Sequence, residues 1–518
     1  MEKYILSIDC GTQSLRTLIF NHYGNLIAKS KIEYEPYYSL KPGYAEKNPE
    51  DYYQSLIKGT NELKINYPEI FNKIEAIAIT TQRDTLTFVD SNGNPVRDSI
   101  LWLDTRKARN TFKPNFLLKM GLEFVGMLEP VKTTEINGKI NWLKQFEPEN
   151  YEKTYKVLQV SGYLNFKLTG NFKDSIASQI GHIPFNYKKL RWSNNNELNY
   201  KIFPVENDKL PELVEPGSII GYITEKASFE TGLKKGISVI AAGSDKGCET
   251  IGMGVIDTNM ASLSFGTTAT IQTTSKKYFE PIKFMPAYPA PIKGYFNPEV
   301  EIFRGYWMIK WFKEEFCHKE NEDAKIKGIP VEKILNDFLK DIPAGSLGLI
   351  VQPYWTPGLK FPSAKGVILG FGDAHKKQHL YKAVIEGLGF ALLEGKESIE
   401  KAGKCNIEKI MVSGGASQSE EICQITADIF NKNLLMGETF ETSGLGAAII
   451  GAYGIGIYST IFEAINKMVK YKKEFIPSSK NSEIYHKLYS KVYKKIFNRL
   501  HDLYYEIREI TGYPEKIL

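Results

Sequence analysis

"SIDCGTQSLRTLIF", residues 7 to 20, runs as an apolar strand into Asp-x-Gly-Thr-x-Ser and returns at once as a second apolar strand. Two strands joined by so short a polar turn read as a β-hairpin. Two explanations of the turn stand open. In one, Gly11 supplies positive φ and the hydroxyls of Thr12 and Ser14 satisfy backbone groups. In the other, Gly11 lets backbone N–H groups approach a polyphosphate, the hydroxyls add donors, Asp9 holds a hydrated Mg²⁺ and Arg16 supplies charge. The chain contains no GxxxxGK[ST], and no GxGxxG opens a helix after the first strand. A phosphate bound here would sit in a different cradle.

Outward from the hairpin, "NLIAKSKIE" (25–33), "NPEDYYQSLIKGTNEL" (48–63) and "IEAIAIT" (74–80) alternate strand-length apolar runs with an amphipathic segment. That is the rhythm of an α/β domain with a mixed sheet. Asn48 before Pro49-Glu50-Asp51 reads as an N-cap, a proline in the first helical position and acids over the helix start. The stretch from about Asn186 to Gly217 has little periodicity and reads as an irregular connection before "GISVIAAGSD" (236–245) resumes the sheet. "NMASLSFGTTATIQTT" (259–274) then places Gly266-Thr267-Thr268 between apolar arms, an echo of Gly11-Thr12 that suggests two halves on a related plan.

Composition sets outer limits. A chain of 518 residues exceeds one core and predicts two or more domains. With 42% hydrophobic and 24% charged residues it is neither membrane-spanning nor disordered, and no export leader is read at its start. Lys and Arg number 66 against 60 acids, a small and dispersed excess that argues against nucleic acid as a partner. Five cysteines without a CxxC pair support neither a disulfide framework nor a zinc site, and fit a cytoplasmic protein.

Three later segments carry chemistry. "GISVIAAGSDKGCETIGMG" (236–254) ends a strand in Gly243-Ser244-Asp245, a carboxylate well placed as a general base toward a hydroxyl. "IMVSGGASQSEEICQITADIF" (410–430) runs a strand through Gly414-Gly415 into an amphipathic helix, a geometry open to close approach by a nucleotide and equally to an ordinary glycine turn. "GVILGFGDAHKKQHLYKAVIEGLGFAL" (366–392) leads a loop into a long apolar helix, and "PEVEIFRGYWMIKWFKEEF" (298–316) reads as another helix.

Taken in order, these segments resemble the FGGY carbohydrate kinase family, which includes glycerol, xylulose, ribulose and gluconate kinases. The likeness spans nearly the whole chain. "SIDCGTQSLRTLIF" resembles the first phosphate hairpin, "PGYAEKNPEDYYQSL" (42–56) the PGW-x-E-x-x-P-E segment and "TQRDTLTFVDSNGNPVRDSILWLDTR" (81–106) the substrate strand pair. "SGYLNFKLTG" (161–170) resembles the YLxxxLTG helix, and residues 211 to 254 follow the catalytic stretch. Gly366, Gly370, His379-Leu380, Ala383 and Glu386 match the C-terminal signature, with Phe371 where an aliphatic residue is usual.

The resemblance implies an actin-like, hexokinase-like α/β fold of two lobes, residues 1–254 and 255–518, each around a ribonuclease H-like mixed sheet, with ATP and sugar between them. It implies ATP and Mg²⁺ as cofactors and a small sugar or polyol as substrate, with neither nucleic acid nor membrane as partner; a homodimer is compatible with it. Carried over by position, Asp9 would hold Mg²⁺, and Gly11, Thr12, Gln13, Ser14 and Arg16 the ATP phosphates. Gly266, Thr267 and Gly305 would contact phosphate from the other lobe, with Gly414, Gly415 and Ser419 along the adenosine. Arg83, Asp84, Trp102, Asp245 and Lys246 would face the acceptor, with Asp245 as catalytic base. Gln82-Arg83-Asp84 is closer to the Gln-Arg-Glu of glycerol kinases than to the Gln-Met-His of pentulose kinases, whereas Lys246 stands where glycerol kinases carry Gln. A non-catalytic ATP-binding protein of the actin-like superfamily and a sugar-sensing regulator are the competing classes.

Overall fold

The computed structural model describes residues 2–356 and 363–513. The chain forms two compact units. The first comprises Met1–Gly254 with Tyr288–Phe296 and Glu441–Val469; the second comprises Val255–Ala287, Asn297–Phe440 and Lys470–Leu518.

In the first unit, β1 (Tyr4–Cys10), β2 (Ser14–Asn21), β3 (Leu26–Glu33), β4 (Ile74–Thr81), β5 (Ile219–Tyr222) and β6 (Ser238–Ile240) form one sheet in the order β5-β6-β4-β1-β2-β3. β1, β2 and β3 make an antiparallel meander, β1 pairs parallel with β4, and β4 parallel with β6. Every residue of β1 is buried, as a central strand covered on both faces requires. β3, at the edge, alternates buried and exposed residues over its second half. Helix α1 (Pro49–Asn66) begins as the sequence predicts, with the Asn48 side chain accepting from the Glu50 N–H and Pro49 in the first turn. A smaller sheet joins Glu46–Lys47, Pro95–Ile100, Leu86–Val89 and Lys156–Gln159 in that order.

The second unit repeats this plan. β7 (Met260–Phe265), β8 (Ala269–Gln272), β9 (Glu299–Ile302), β10 (Lys409–Ser413), β11 (Leu434–Gly437) and β12 (Tyr471–Phe475) are ordered β9-β8-β7-β10-β11-β12. Again a three-strand meander is followed by two parallel neighbours and an antiparallel edge strand. The faint echo between Gly11-Thr12 and Gly266-Thr267 marks the same turn, first to second strand, in each sheet.

Two segments differ from the sequence reading. The stretch 298–316 is not one helix: Glu299–Ile302 pairs with β8, because Glu-Val-Glu-Ile has the period of a strand, and the helix starts only at Trp307. The connection after Asn186 holds a short hairpin of Phe185–Asn186 with Arg191–Trp192 and a helical turn, Leu198–Ile202. All five cysteines are free thiols.

Candidate active site

The site in the first unit is built on strand ends. β1 delivers Asp9, and the antiparallel register sets Arg16 opposite it. Arg16 Nη1 lies 3.1 Å from Asp9 Oδ2 and 3.6 Å from Glu441 Oε2. Burial pushes the Asp9 carboxyl up to about 6, with Arg16 opposing and the charges of Asp245 and Glu441 adding to the rise. Asp9 and Asp245 are therefore close enough to feel one another's charge.

The turn between β1 and β2 closes with Gly11 N donating to Ser14 O at 3.0 Å. Gly11 does not use positive φ, and a Cβ there would meet only Ser14 O, at an ordinary 3.5 Å. Of the two explanations of the hairpin, the need for a left-handed residue thus falls away. Thr12 Oγ1 donates to Gln82 Oε1 at 2.8 Å and accepts from the Trp102 indole at 3.0 Å. Gln82 in turn donates to the Tyr52 hydroxyl at 3.1 Å. The Thr12 hydroxyl is thus engaged inside the protein, and Trp102, 42% exposed, is anchored to the hairpin by its N–H. Gln13 is exposed at the turn and Ser14 is buried.

Asp245 opens helix α2 (Asp245–Gly252), which the Ser244 side chain caps by accepting from Gly247 N. Its Oδ1 accepts from Lys246 N at 2.7 Å and lies 3.8 Å from Arg83 Nε. Burial raises the Asp245 carboxyl above its ordinary range, and Arg83 and Lys246 partly offset that rise. The Arg83 guanidinium sits 5.2 Å over the Tyr288 ring. Lys246 Nζ pairs with Glu249 at 2.9 Å.

Asp84, at φ 55, is committed to protein partners. Its Oδ2 accepts from Lys139 Nζ at 2.6 Å and from His182 Nδ1 at 2.7 Å, and its Oδ1 from the His182 backbone N–H at 2.8 Å. Burial would raise this carboxyl, but His182 and Lys139 outweigh it and hold it well below the usual range.

In the second unit Gly266 and Thr267 form the β7–β8 turn, with Gly266 O accepting from Tyr306 N at 3.0 Å and Thr267 exposed. Gly305 is packed so that a Cβ would run into the Ala269 backbone, and Gly414, at φ 88, would run into that of Phe265. These two glycines are demanded by chain crossing. Gly415 has nothing within 4 Å of a Cβ and no positive φ. Ser419 caps the helix Glu420–Phe430 and donates to Asn336 at 2.8 Å.

The structure brings together Asp9 with Arg16, Thr12 with Trp102, Arg83 with Asp245, and Gly266, Gly305 and Gly414. It adds Lys139, His182, Tyr288 and Glu441, none of which carries a motif. Asp84 offers one signal after the fact: an acid following Arg83 that needs hydrogen-bond donors from elsewhere in the chain.

Two α/β units of one repeated plan, each with a polar hairpin between its first two strands, define a two-domain protein of the actin-like α/β fold. Residues 4–252 match the N-terminal domain model of the FGGY family of carbohydrate kinases and residues 261–455 its C-terminal domain model, so the chain belongs to that family and is an ATP-dependent carbohydrate kinase. It is 28% identical to the xylulose kinase of Bacillus subtilis, over 94% of this chain and 95% of that one. It is 26% identical to the uncharacterized sugar kinase YgcE of Escherichia coli, over 93% and 91%, and 25% identical to the gluconokinase of B. subtilis, over 94% of each. The fold is that of a gluconate kinase from Lactobacillus acidophilus (TM-score 0.81, 24% identity, covering 98% of this chain and 100% of that one). It is also that of Plasmodium falciparum glycerol kinase with ADP (TM-score 0.76, 22% identity, 95% and 98%). The non-catalytic and regulatory classes are set aside.

Proposed function

We propose that Asp245 takes the proton from a hydroxyl of a small sugar or polyol as that oxygen attacks the γ-phosphoryl group of ATP. The observation that carries this is the setting of Asp245: first turn of α2, side chain 30% exposed, 3.8 Å from Arg83 and within electrostatic reach of Asp9. A carboxylate raised by burial is a better base than one in water, and Arg83 partly offsets that rise. Arg83 and Trp102 would orient the acceptor, and Lys246, pinned to Glu249, would flank it. The backbone N–H groups of Thr12 and Gln13, with Arg16, would donate to phosphate oxygens, the Gly11 N–H being spent on Ser14 O; Gly266, Thr267 and Gly415 of the second unit would serve the nucleotide.

Mg²⁺ fits this donor set. Among the described residues no group of three or more His, Cys, Asp or Glu is arranged to hold a metal by itself. A kinase Mg²⁺ is held by one or two carboxylates together with substrate phosphates, which is what Asp9 at a strand end offers. When bound, the ion neutralises charge on the phosphates. Among the described residues no helix is long and apolar enough to cross a membrane, and we place the protein in the cytoplasm, where ATP is supplied.

The test is ADP release over a panel of polyols, ketoses, aldoses and sugar acids against a blank without acceptor, repeated with Asp245→Asn. The wild type should respond to at least one acceptor. The variant should lose at least ~10²-fold in turnover, the low end of general-base contributions, with ATP affinity unchanged by calorimetry. Turnover within threefold of wild type would remove Asp245 from the chemistry.

A further inference from the structure

Asp84 sits beside Arg83, yet both its oxygens are occupied by Lys139 and His182. The three side chains differ in what they leave open. Lys139 is 3% exposed and Asp84 16%, whereas the His182 side chain is 31% exposed. Of the three, His182 is the most exposed, and it alone keeps a polar side-chain atom without a partner among the described residues.

The segment that carries His182 is tied at both ends to substrate-side elements. Ser175 Oγ donates to Ala242 O at 2.7 Å and Ser244 N donates to Ala177 O at 3.0 Å, immediately before Asp245. Further along, Asp84 N donates to Ile180 O at 3.2 Å, and Gly181, at φ 133, is packed so closely on Asp84 that a Cβ would overlap its carboxylate. Residues 175–182 therefore bridge the base and Asp84, and end in an imidazole. Phe203 holds that ring edge-on, at 5.7 Å between centroids.

The tautomer follows from the partner. An ionised carboxylate only accepts, so Nδ1 facing Asp84 carries the proton, and in the neutral ring Nε2 keeps its lone pair. Among the described residues nothing hydrogen-bonds to Nε2. We propose that His182 is an acceptor-binding residue that sets which sugar is taken, its Nε2 accepting a hydrogen bond from a hydroxyl of an uncharged polyhydroxyl substrate while Asp84 fixes the ring. This rests on the reading of Asp245 and Arg83 as the acceptor site.

The test uses His182→Asn, whose amide nitrogen takes the place of Nδ1 and keeps the bond to Asp84 while removing Nε2. D-xylulose, D-gluconate and glycerol are the probes, with ADP release as the readout. For an uncharged probe the wild type accepts, KM should rise about tenfold, the worth of one hydrogen bond, with kcat within about threefold and the KM for ATP unchanged. His182→Gln, whose longer amide reaches the place of Nε2, should recover KM to within about threefold of wild type. A purely structural His182 predicts no change in His182→Asn; an unchanged KM there, or a His182→Gln as poor as His182→Asn, overturns the proposal. So does a wild type that takes D-gluconate alone, since a lone pair opposes a carboxylate. A wild type silent with every probe in the wider acceptor panel fails earlier, at the kinase-site reading itself, before His182 is varied.

Discussion

Arg83 Nε stands 3.8 Å from Asp245 Oδ1, close enough to set the charge of the proposed base and too far for a hydrogen bond. Burial lifts the Asp245 carboxyl and Arg83 is the largest opposing influence. Arg83→Gln removes that opposition, so the Asp245 carboxyl should rise further. Because a base works only when deprotonated, the acidic limb of the kcat/KM profile should move to higher pH. A limb that stays in place while activity falls would confine Arg83 to holding the substrate.

The Trp102–Thr12–Gln82–Tyr52 chain gives a prediction on stability. Thr12→Val keeps the shape of the side chain but strips a buried Gln82 oxygen and the Trp102 indole of their partner. Leaving such a group unsatisfied costs about 1–3 kcal/mol, so the denaturation midpoint should fall measurably, and Thr12→Ser should restore it. A Thr12→Val variant as stable as wild type would show that the Gln82 and Trp102 bonds to this hydroxyl contribute nothing net to the fold.

What the sequence made legible follows from locality. The first hairpin, the capped start of α1 and Asp245 at a strand-to-helix turn are each encoded within a few residues, so their patterns survive without the fold. Lys139, His182 and Tyr288 meet Arg83 and Asp84 only because separate segments converge, and no spacing in the chain announces a convergence. Glu441 is the extreme case: it reaches Arg16 because Glu441–Val469 rejoins the first unit after most of the second has been traversed. At Gly11 the residue pattern leaves positive φ open as one explanation of the turn, because glycine alone does not encode its own dihedral, and the observed backbone does without it.

The packing of α2 on the helix Thr442–Gly454 supplies a third test. A Cβ at Gly446 would run into the Cys248 backbone, and one at Gly252 into the Thr442 carbonyl. Neither obstacle is a side chain that can turn aside. Gly446→Ala should therefore cost about 1–3 kcal/mol, as overpacking does, and should lower kcat by moving the helix that carries Asp245. Gly121, helical and with nothing within 4 Å of a Cβ, is the control. Gly121→Ala should leave activity unchanged and stability equal or slightly higher.

Glu386, in the long helix Lys377–Gly403, is buried and accepts hydrogen bonds from Gly345 N at 2.9 Å and from the Ser346 and Tyr485 hydroxyls, each at 2.8 Å. Burial outweighs these donors and the nearby charge of Lys382, and pushes the carboxyl up to about 7 from an ordinary 4.5. Since the folded state then holds the proton more tightly than the unfolded state, folding takes up a proton between those two values. The resulting stability is fully present below 4.5 and is lost as pH rises to about 7, a change of about 3 kcal/mol by linkage. Asp174, buried and raised to about 6, tilts stability in the same direction, whereas Asp84, held low, tilts it the other way at more acid pH. The wild-type curve alone cannot isolate Glu386, but Glu386→Gln can, because the amide keeps the size and does not titrate. Denaturant unfolding at pH 5 and pH 8 should show the variant gaining on the wild type by about 2–3 kcal/mol as pH rises. Parallel curves for the two proteins would mean that Glu386 is ionised throughout and that its three donors, with Lys382, outweigh its burial.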